Sequence, residues 1–208
     1  MNKEQRAEAR RSVDYLIARG FINEATIEAC AVEDVLFAMG EGGDEELDCD
    51  DIEASVKSMV AERLEMRRRA EQRWKRLTDC DKLDLAFADL EEQGIIARQD
   101  YWCCARCAHS AAGYEIFGNE RGEDFWKGYV FYHEQDTDDA PSGSLMLGFG
   151  AYEEGDEAMK EVARTVIETL GRYKLKAEWN GKANTRIDVV NLNWRWRRFT
   201  KRPKLKEV

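Results

Sequence analysis

Along the first part of the chain, apolar residues recur with the spacing of helices. Val13, Leu16 and Ile17 share one face of a segment running from about 3 to 19, with Gly20 as its stop. Asn23 is placed to cap a second helix that ends at Gly40, where Ile27, Ala31, Val35 and Met39 return every fourth position. A glycine-and-acid loop over 41–49 then separates it from a long third helix from about Asp50 to Arg73. The buried stripe of that helix is Ile52, Val56, Met59, Val60 and Leu64. Thr78 or Asp79 caps a fourth, whose core face is Leu83, Ala86, Phe87 and Leu90 and which closes at Gly94.

Beyond Gly94 the period changes. "IIARQDYW" reads as extended, and "KGYVFYHEQ" and "GSLMLGFGAY" read as strands joined by the turn-rich "DTDDAPSG". A helix over about 156–173 carries Met159, Val162, Ala163, Val166, Ile167 and Leu170. It is followed by the strand candidates "LKAEWNG" and "RIDVVNLNWRW". Helices first, then strand–strand–helix–strand–strand, predict an α+β fold with a mixed or antiparallel sheet layer. The expected divisions are a helical region over 1–77, an α+β domain over 78–198 and a basic tail over 199–208.

Composition narrows the setting. The 208 residues are 43% hydrophobic and 36% charged with only two prolines, a globular composition. No apolar run approaches the ~20 residues that span a bilayer, and "MNKEQRAEARRS" lacks the apolar core of a secretory signal. The expectation is a cytoplasmic protein without a membrane partner, whose six cysteines stay reduced. The net charge of −10 disfavours nucleic acid and favours a basic protein partner. Charge is nevertheless uneven: residues 41–53 hold eight acids and no base, whereas residues 195–208 hold seven bases and one acid.

The candidate chemistry gathers in "YWCCARCAHS", which places Cys103, Cys104, Cys107 and His109 within a few positions. A structural zinc site needs four ligands. Cys104 and Cys107 form one Cys-x-x-Cys pair, and His109 and His133, the two histidines of the chain, are the better partners to complete it. Cys103 and Cys80 are the remaining candidates, Cys103 disfavoured because adjacent cysteines rarely share one ion comfortably. Alternatively, Cys104 and Cys107 are a dithiol at a helix start, with Arg106 lowering a thiol pKa. The strand-to-helix context in a parallel sheet that such dithiols use is not evident in the pattern. A nucleophilic cysteine served by His133 and Asp136 has the right residue types. The plainest reading is packing, since cysteine is a small, readily buried side chain. No complete catalytic set is present, so no residue is assigned a catalytic role, and zinc is the one cofactor left open.

Two further stretches offer binding groups. His133, Gln135 and Asp136 fall where a strand runs into a loop. Trp194, Arg195, Trp196 and Arg197 interleave rings with cations, as a single-stranded nucleic acid would require. The same alternation is also that of a half-buried strand with a basic outer face. The bases of "EMRRRAEQRWKR" read as a solvated helix end.

Several of these stretches together resemble a bacterial family of uncharacterised proteins, a domain of unknown function. They are the Thr-Asp-Cys-Asp helix start at 78–81, Gly-Ile-Ile-Ala-Arg-Gln at 94–99, the Cys-Cys-x-x-Cys cluster at 103–107 and Tyr-His-x-Gln-Asp at 132–136. The family often has Cys-Gly-His after the cluster, where this chain has Cys107-Ala108-His109. A glycine there would suit a tight metal knuckle. The resemblance covers nearly the whole chain and implies no activity. The expectation is therefore a non-catalytic interaction or regulatory protein. The alternatives are a thiol enzyme or redox protein centred on Cys104, Cys107 and His133, and a nucleic-acid binder acting through the C-terminus.

Overall fold

Side-chain caps set where the helices begin. In the computed structural model, which describes residues 1–40, 48–117 and 119–203, Asn2 and Gln5 form a capping box that starts α1 (Lys3–Arg19). Asn23 Oδ1 accepts the Thr26 amide at 2.9 Å and starts α2 (Glu24–Gly40). Asp48 caps α3 (Cys49–Glu71) through the Asp51 amide. The expected loop over 41–49 lies mostly outside the described residues, as does the side chain of Met39.

These helices belong to one compact unit, Met1–Arg76 together with the chain from Trp196 onward. Its core is drawn from the predicted stripes: Val13, Leu16 and Ile17 from α1, Ile27, Ala31 and Val35 from α2, and Ile52, Val56, Val60 and Leu64 from α3. Met59, expected in the α3 stripe, is only partly buried and packs against them with Phe199. Each fully buried aliphatic side chain contributes roughly 1.5–3 kcal/mol.

The returning C-terminal segment is held by a buried carboxylate. Glu71, only 1% exposed, accepts the backbone N–H groups of Arg198 at 2.9 Å, Phe199 at 2.8 Å and Thr200 at 3.1 Å, and Nε of Arg67 at 3.1 Å. Burial raises its pKa, but these donors outweigh it and hold the carboxyl below its ordinary range. Trp196 lies over Gly20, whose φ is +103° and where an added Cβ would stand 2.6 Å from the indole ring. The expected basic tail thus starts with Phe199 and Thr200 inside this unit; residues 204–208 lie outside the described ones.

The second compact unit is Leu77–Arg195. Thr78 and Asp81 form the capping box of α4 (Asp79–Glu92), which leads through Gly94 into β1 (Ile95–Arg98). Then come α5 (Ala105–Tyr114), β2 (Gly128–Phe131), α6 (Glu134–Asp139), β3 (Ser144–Ala151), α7 (Asp156–Arg172), β4 (Lys176–Glu178) and β5 (Ile187–Val190). The sheet order is β1-β2-β3-β5-β4, with β1 and β2 parallel and the other neighbours antiparallel. This is the α+β class with N-terminal helices and a mixed sheet.

Details differ from the expected pattern. "DTDDAPSG" is α6 followed by a 3-10 turn over Ala140–Ser142, because His133 and Asp136 form a capping box that turns the chain into helix. β5 stops at Val190, where Asn191 takes φ +58°. Leu192 and Trp194 stay buried beyond it, outside the strand itself, with the Leu192 amide donating to the Gly143 carbonyl at 2.9 Å.

The two faces of the sheet have different coverings. Val130, Phe149, Leu147, Leu145, Ile187 and Val189 share the face that packs on α4 and α7. On the other face Tyr129 stands opposite Gly150 and Phe131 opposite Gly148. Their rings, 6.2 Å apart and nearly parallel, lie across the two glycines and form the floor for α5.

Candidate functional site

The three clustered cysteines sit at the start of α5, where that helix leaves a parallel strand. The connection runs from β1 through α5 to the adjacent parallel β2, the βαβ context that the sequence pattern alone does not reveal. Past the last paired residues the chain stays alongside: the Tyr101 amide donates to the Tyr132 carbonyl at 2.9 Å, and the Glu134 amide to the Trp102 carbonyl at 3.0 Å. Within this loop Asp100 and Trp102 take φ of +48° and +63°, values non-glycine residues rarely adopt. Such strain persists only where the surroundings enforce it. It brings Cys103 and Cys104 to the mouth of α5 beside the half-exposed Trp102 ring.

A helix this poor in large apolar residues is held by its small ones and by its ends. Ala108 and Ala112 are fully buried against Phe131, and small side chains let the helix lie close to the ring. Tyr152 Oη donates to the Ala112 carbonyl at 2.7 Å, and Arg98 pairs with Glu115 at 2.6 Å. Tyr101 also donates to Glu115; burial and that carboxylate push its phenol up to about 12.

At the N-terminal end of α5 the sulfurs of Cys103, Cys104 and Cys107 all lie within 4.8 Å of one another. Cys103 is exposed and the other two are partly exposed. Cys104 occupies the N-cap position, and Cys107 comes one turn later on the same side. No conventional capping bond is made by the Cys104 side chain. Its thiol is still lowered, chiefly by the Cys107 amide and then by the Cys107 thiol, the Cys103 thiol and the Arg106 amide. Open amides at a helix start favour an anion there, and the first turn of α5 holds no acid to oppose it. Cys107 shifts the other way, up to about 11, chiefly through its hydrogen bond to Cys104 and then through Cys103. The buried Cys80 offers a contrast: desolvation drives its thiol far up, and its sulfur accepts the Arg195 amide at 3.2 Å.

Neither histidine joins the three sulfurs. His109 faces the sheet from α5, its Nδ1 3.1 Å from Tyr129 Oη and its ring edge-on to Phe131 at 4.8 Å. Burial, then Arg186 and His133, depress its pKa. His133 is buried as the N-cap of α6, its Nδ1 accepting the Asp136 amide at 3.3 Å. Its pKa is lowered chiefly by burial, against the pull of Asp136. Asp136 is buried as well and accepts from the His133 amide at 3.0 Å and from Arg186. Gln135 is exposed on α6.

The aromatic and basic candidates near the C-terminus are divided between the two units. Trp194 is buried with its ring edge-on to Tyr132 at 6.3 Å, and Arg195 is anchored through its amide to Cys80. Trp196 packs on Phe21 with ring centroids 4.0 Å apart. Arg197 donates to the carbonyls of Trp74 and Arg76 and lies over the Trp74 ring at 5.6 Å. Sequence reasoning did not single out Glu71, which it grouped with a solvated face; its i,i+4 spacing from Arg67 was the only signal.

No helix among the described residues is long and apolar enough to cross a membrane. No curated protein and no solved structure matches the chain. The family described as "Domain of unknown function (DUF6891)" matches residues 2–198, nearly the full length, and the chain belongs to that family.

Proposed function

We propose that this protein is a dithiol redox protein, with Cys104 as nucleophile and Cys107 as resolving thiol. The observation that carries the reading is the position of this Cys-x-x-Cys pair: at an accessible helix start, one turn apart, on the helix that a short loop joins to a parallel strand, with sulfurs within 4.8 Å. The opposed shifts of the two thiols support it, because attack requires a thiolate and resolution a thiol held in reserve. The Cys104 thiolate attacks one sulfur of a substrate disulfide, forming a mixed disulfide and releasing the other sulfur as a thiolate. Cys107 gives its proton to solvent and attacks the Cys104 sulfur. An internal disulfide results and the second substrate thiolate leaves, so two electrons have passed from the protein to the substrate. The reducing cytoplasm is the setting in which such a pair is returned to its thiol form.

Glutathione disulfide and a disulfide-bonded peptide are the probes. After exposure to either, mass spectrometry is expected to find a Cys104–Cys107 disulfide, while Cys107→Ser accumulates a mixed disulfide on Cys104. Cys104→Ser should do neither. An unchanged thiol count in the wild type, or equal slow alkylation of all six cysteines, would overturn the reading.

A second reading, protein binding without catalysis, is favoured by the rings of Tyr114 and Phe117. They are 71% and 62% exposed and 6.3 Å apart at the far end of α5. Exposed neighbouring rings are common interface anchors. Tyr114→Ser with Phe117→Ser should then abolish recovery of a stoichiometric partner from lysate with the thiols intact. Equal recovery by the double variant would exclude this surface.

A further inference from the structure

A dithiol needs two sulfurs, and the third, Cys103, is not one of the two that bond to each other. We infer that Cys103, Cys104 and Cys107 together bind one thiophilic d10 cation, Zn2+, through three thiolates, with the fourth position open to solvent.

The geometry carries this. Three sulfurs approach one another within 4.8 Å at the surface, and among the described residues no carboxylate or imidazole belongs to the group. Zn–S bonds of about 2.3 Å place thiolates roughly 3.8 Å apart in a tetrahedral site, so closure asks for movements on the order of 1 Å. Exposed or partly exposed side chains at a helix mouth can make that adjustment by rotation about χ1. The backbone supplies the convergence. Trp102 turns through left-handed space, Cys104 is extended at φ −157° and ψ 166°, and Cys107 returns one helical turn later. Adjacent cysteines, an objection when only the spacing is known, are thereby brought to a common side. An all-sulfur set selects soft cations over Mg2+ or Ca2+. Three protein ligands leave the fourth position unfilled, unlike the closed four-ligand site of a structural zinc.

The role of this site rests on the dithiol reading, although binding itself does not. Cys104 and Cys107 cannot ligate the ion and bond to each other at once. A disulfide that oxidises the pair takes two electrons from their sulfurs, forms the Cys104–Cys107 bond and releases Zn2+ with two substrate thiolates. Conversely, bound zinc withholds the nucleophile from a disulfide substrate, so metal and oxidant compete for one cluster.

The test is titration of the full-length reduced, metal-free chain with Cd2+, read by sulfur-to-metal charge-transfer absorption, with Zn2+ competing. One equivalent is expected, displaced by Zn2+ and released on oxidation with glutathione disulfide. Cys103→Ser should weaken binding by at least ~10–100-fold while a Cys104–Cys107 disulfide still forms on oxidation; Cys104→Ser should remove both. His109→Gln should not alter the titration. Absence of a saturable charge-transfer band would overturn the inference even if the disulfide forms. Undiminished binding by Cys103→Ser would overturn the three-thiolate site. Metal binding without any disulfide would uphold this site and overturn the dithiol function.

Discussion

At the scale of single residues, the glycines of β3 show what the register adds to the pattern. The strand reads as alternating in "GSLMLGFGAY", yet nothing in that alternation says why positions 148 and 150 lack side chains. The pairing does: a Cβ at Gly148 would stand 2.6 Å from Phe131 Cζ, and one at Gly150 would stand 2.4 Å from Tyr129 Cζ. Phe131 is fully buried beneath α5 and has little room to yield. Gly148→Ala is expected to destabilise the protein by about 1–3 kcal/mol through overpacking, measured by urea unfolding. Gly113 in α5 has nothing within 4 Å of its added Cβ. There Gly113→Ala should be neutral or stabilising by up to ~1 kcal/mol, the helix-propensity difference. Equal losses at both positions would mean that the rings do not occupy the glycine surface. The cysteine cluster is a similar case. Residue types alone made two histidines eligible as ligands, but His109 and His133 are occupied by Tyr129 and Asp136 instead.

At the scale of elements, α1 to α4 were legible because each repeats apolar residues at its inner face and carries a side-chain cap, and α7 through its apolar stripe alone. α5 was less so: its two buried residues are alanines, Ala108 and Ala112, which leave no stripe to detect. α6 was hidden for another reason, since "EQDTDD" resembles turn chemistry and becomes helix through the His133–Asp136 capping box. The C-terminal end of α3 adds the least predictable element contact, the seizing of residues 198–200 by Glu71. Its folded pKa lies below the ordinary 4.5, so its stabilising contribution is present above that value and is lost as pH falls through the folded pKa. Glu71→Gln should cost roughly 2–4 kcal/mol at neutral pH, from the lost charge-assisted bonds of a buried group. The deficit relative to wild type should shrink as the pH falls below the ordinary 4.5 and through the lowered folded pKa, where the wild-type carboxyl itself takes up a proton. Chemical denaturation followed at both pH values reads this directly, and a deficit independent of pH would show that ionised Glu71 is not the source.

At the scale of the whole molecule, the order of elements was enough for the class, because helices precede a strand-rich stretch and each unit buries its own apolar residues. What the order could not convey is that the chain goes back. The period-2 run through Trp194 and Trp196 reads as one continuous strand, yet Trp194 is core of the second unit and Trp196 packs in the first, against Gly20 and Phe21. Alternating burial is the same whether an extended segment pairs in a sheet or lies on helices, so the pattern had no means to separate the two. The consequence is testable by ending the chain after Arg195. Glu71 would then be a buried carboxylate stripped of the Arg198, Phe199 and Thr200 amides, and the first unit would lose Trp196 and Phe199 from its packing. Both losses fall on residues 1–76, so amide hydrogen exchange should accelerate across α1, α2 and α3. The strands β1, β2, β3 and β5, whose bonds lie within residues 95–190, should keep their protection. Retained protection in the three N-terminal helices would show that the returning segment is dispensable to them and that Glu71 finds other donors once it is gone.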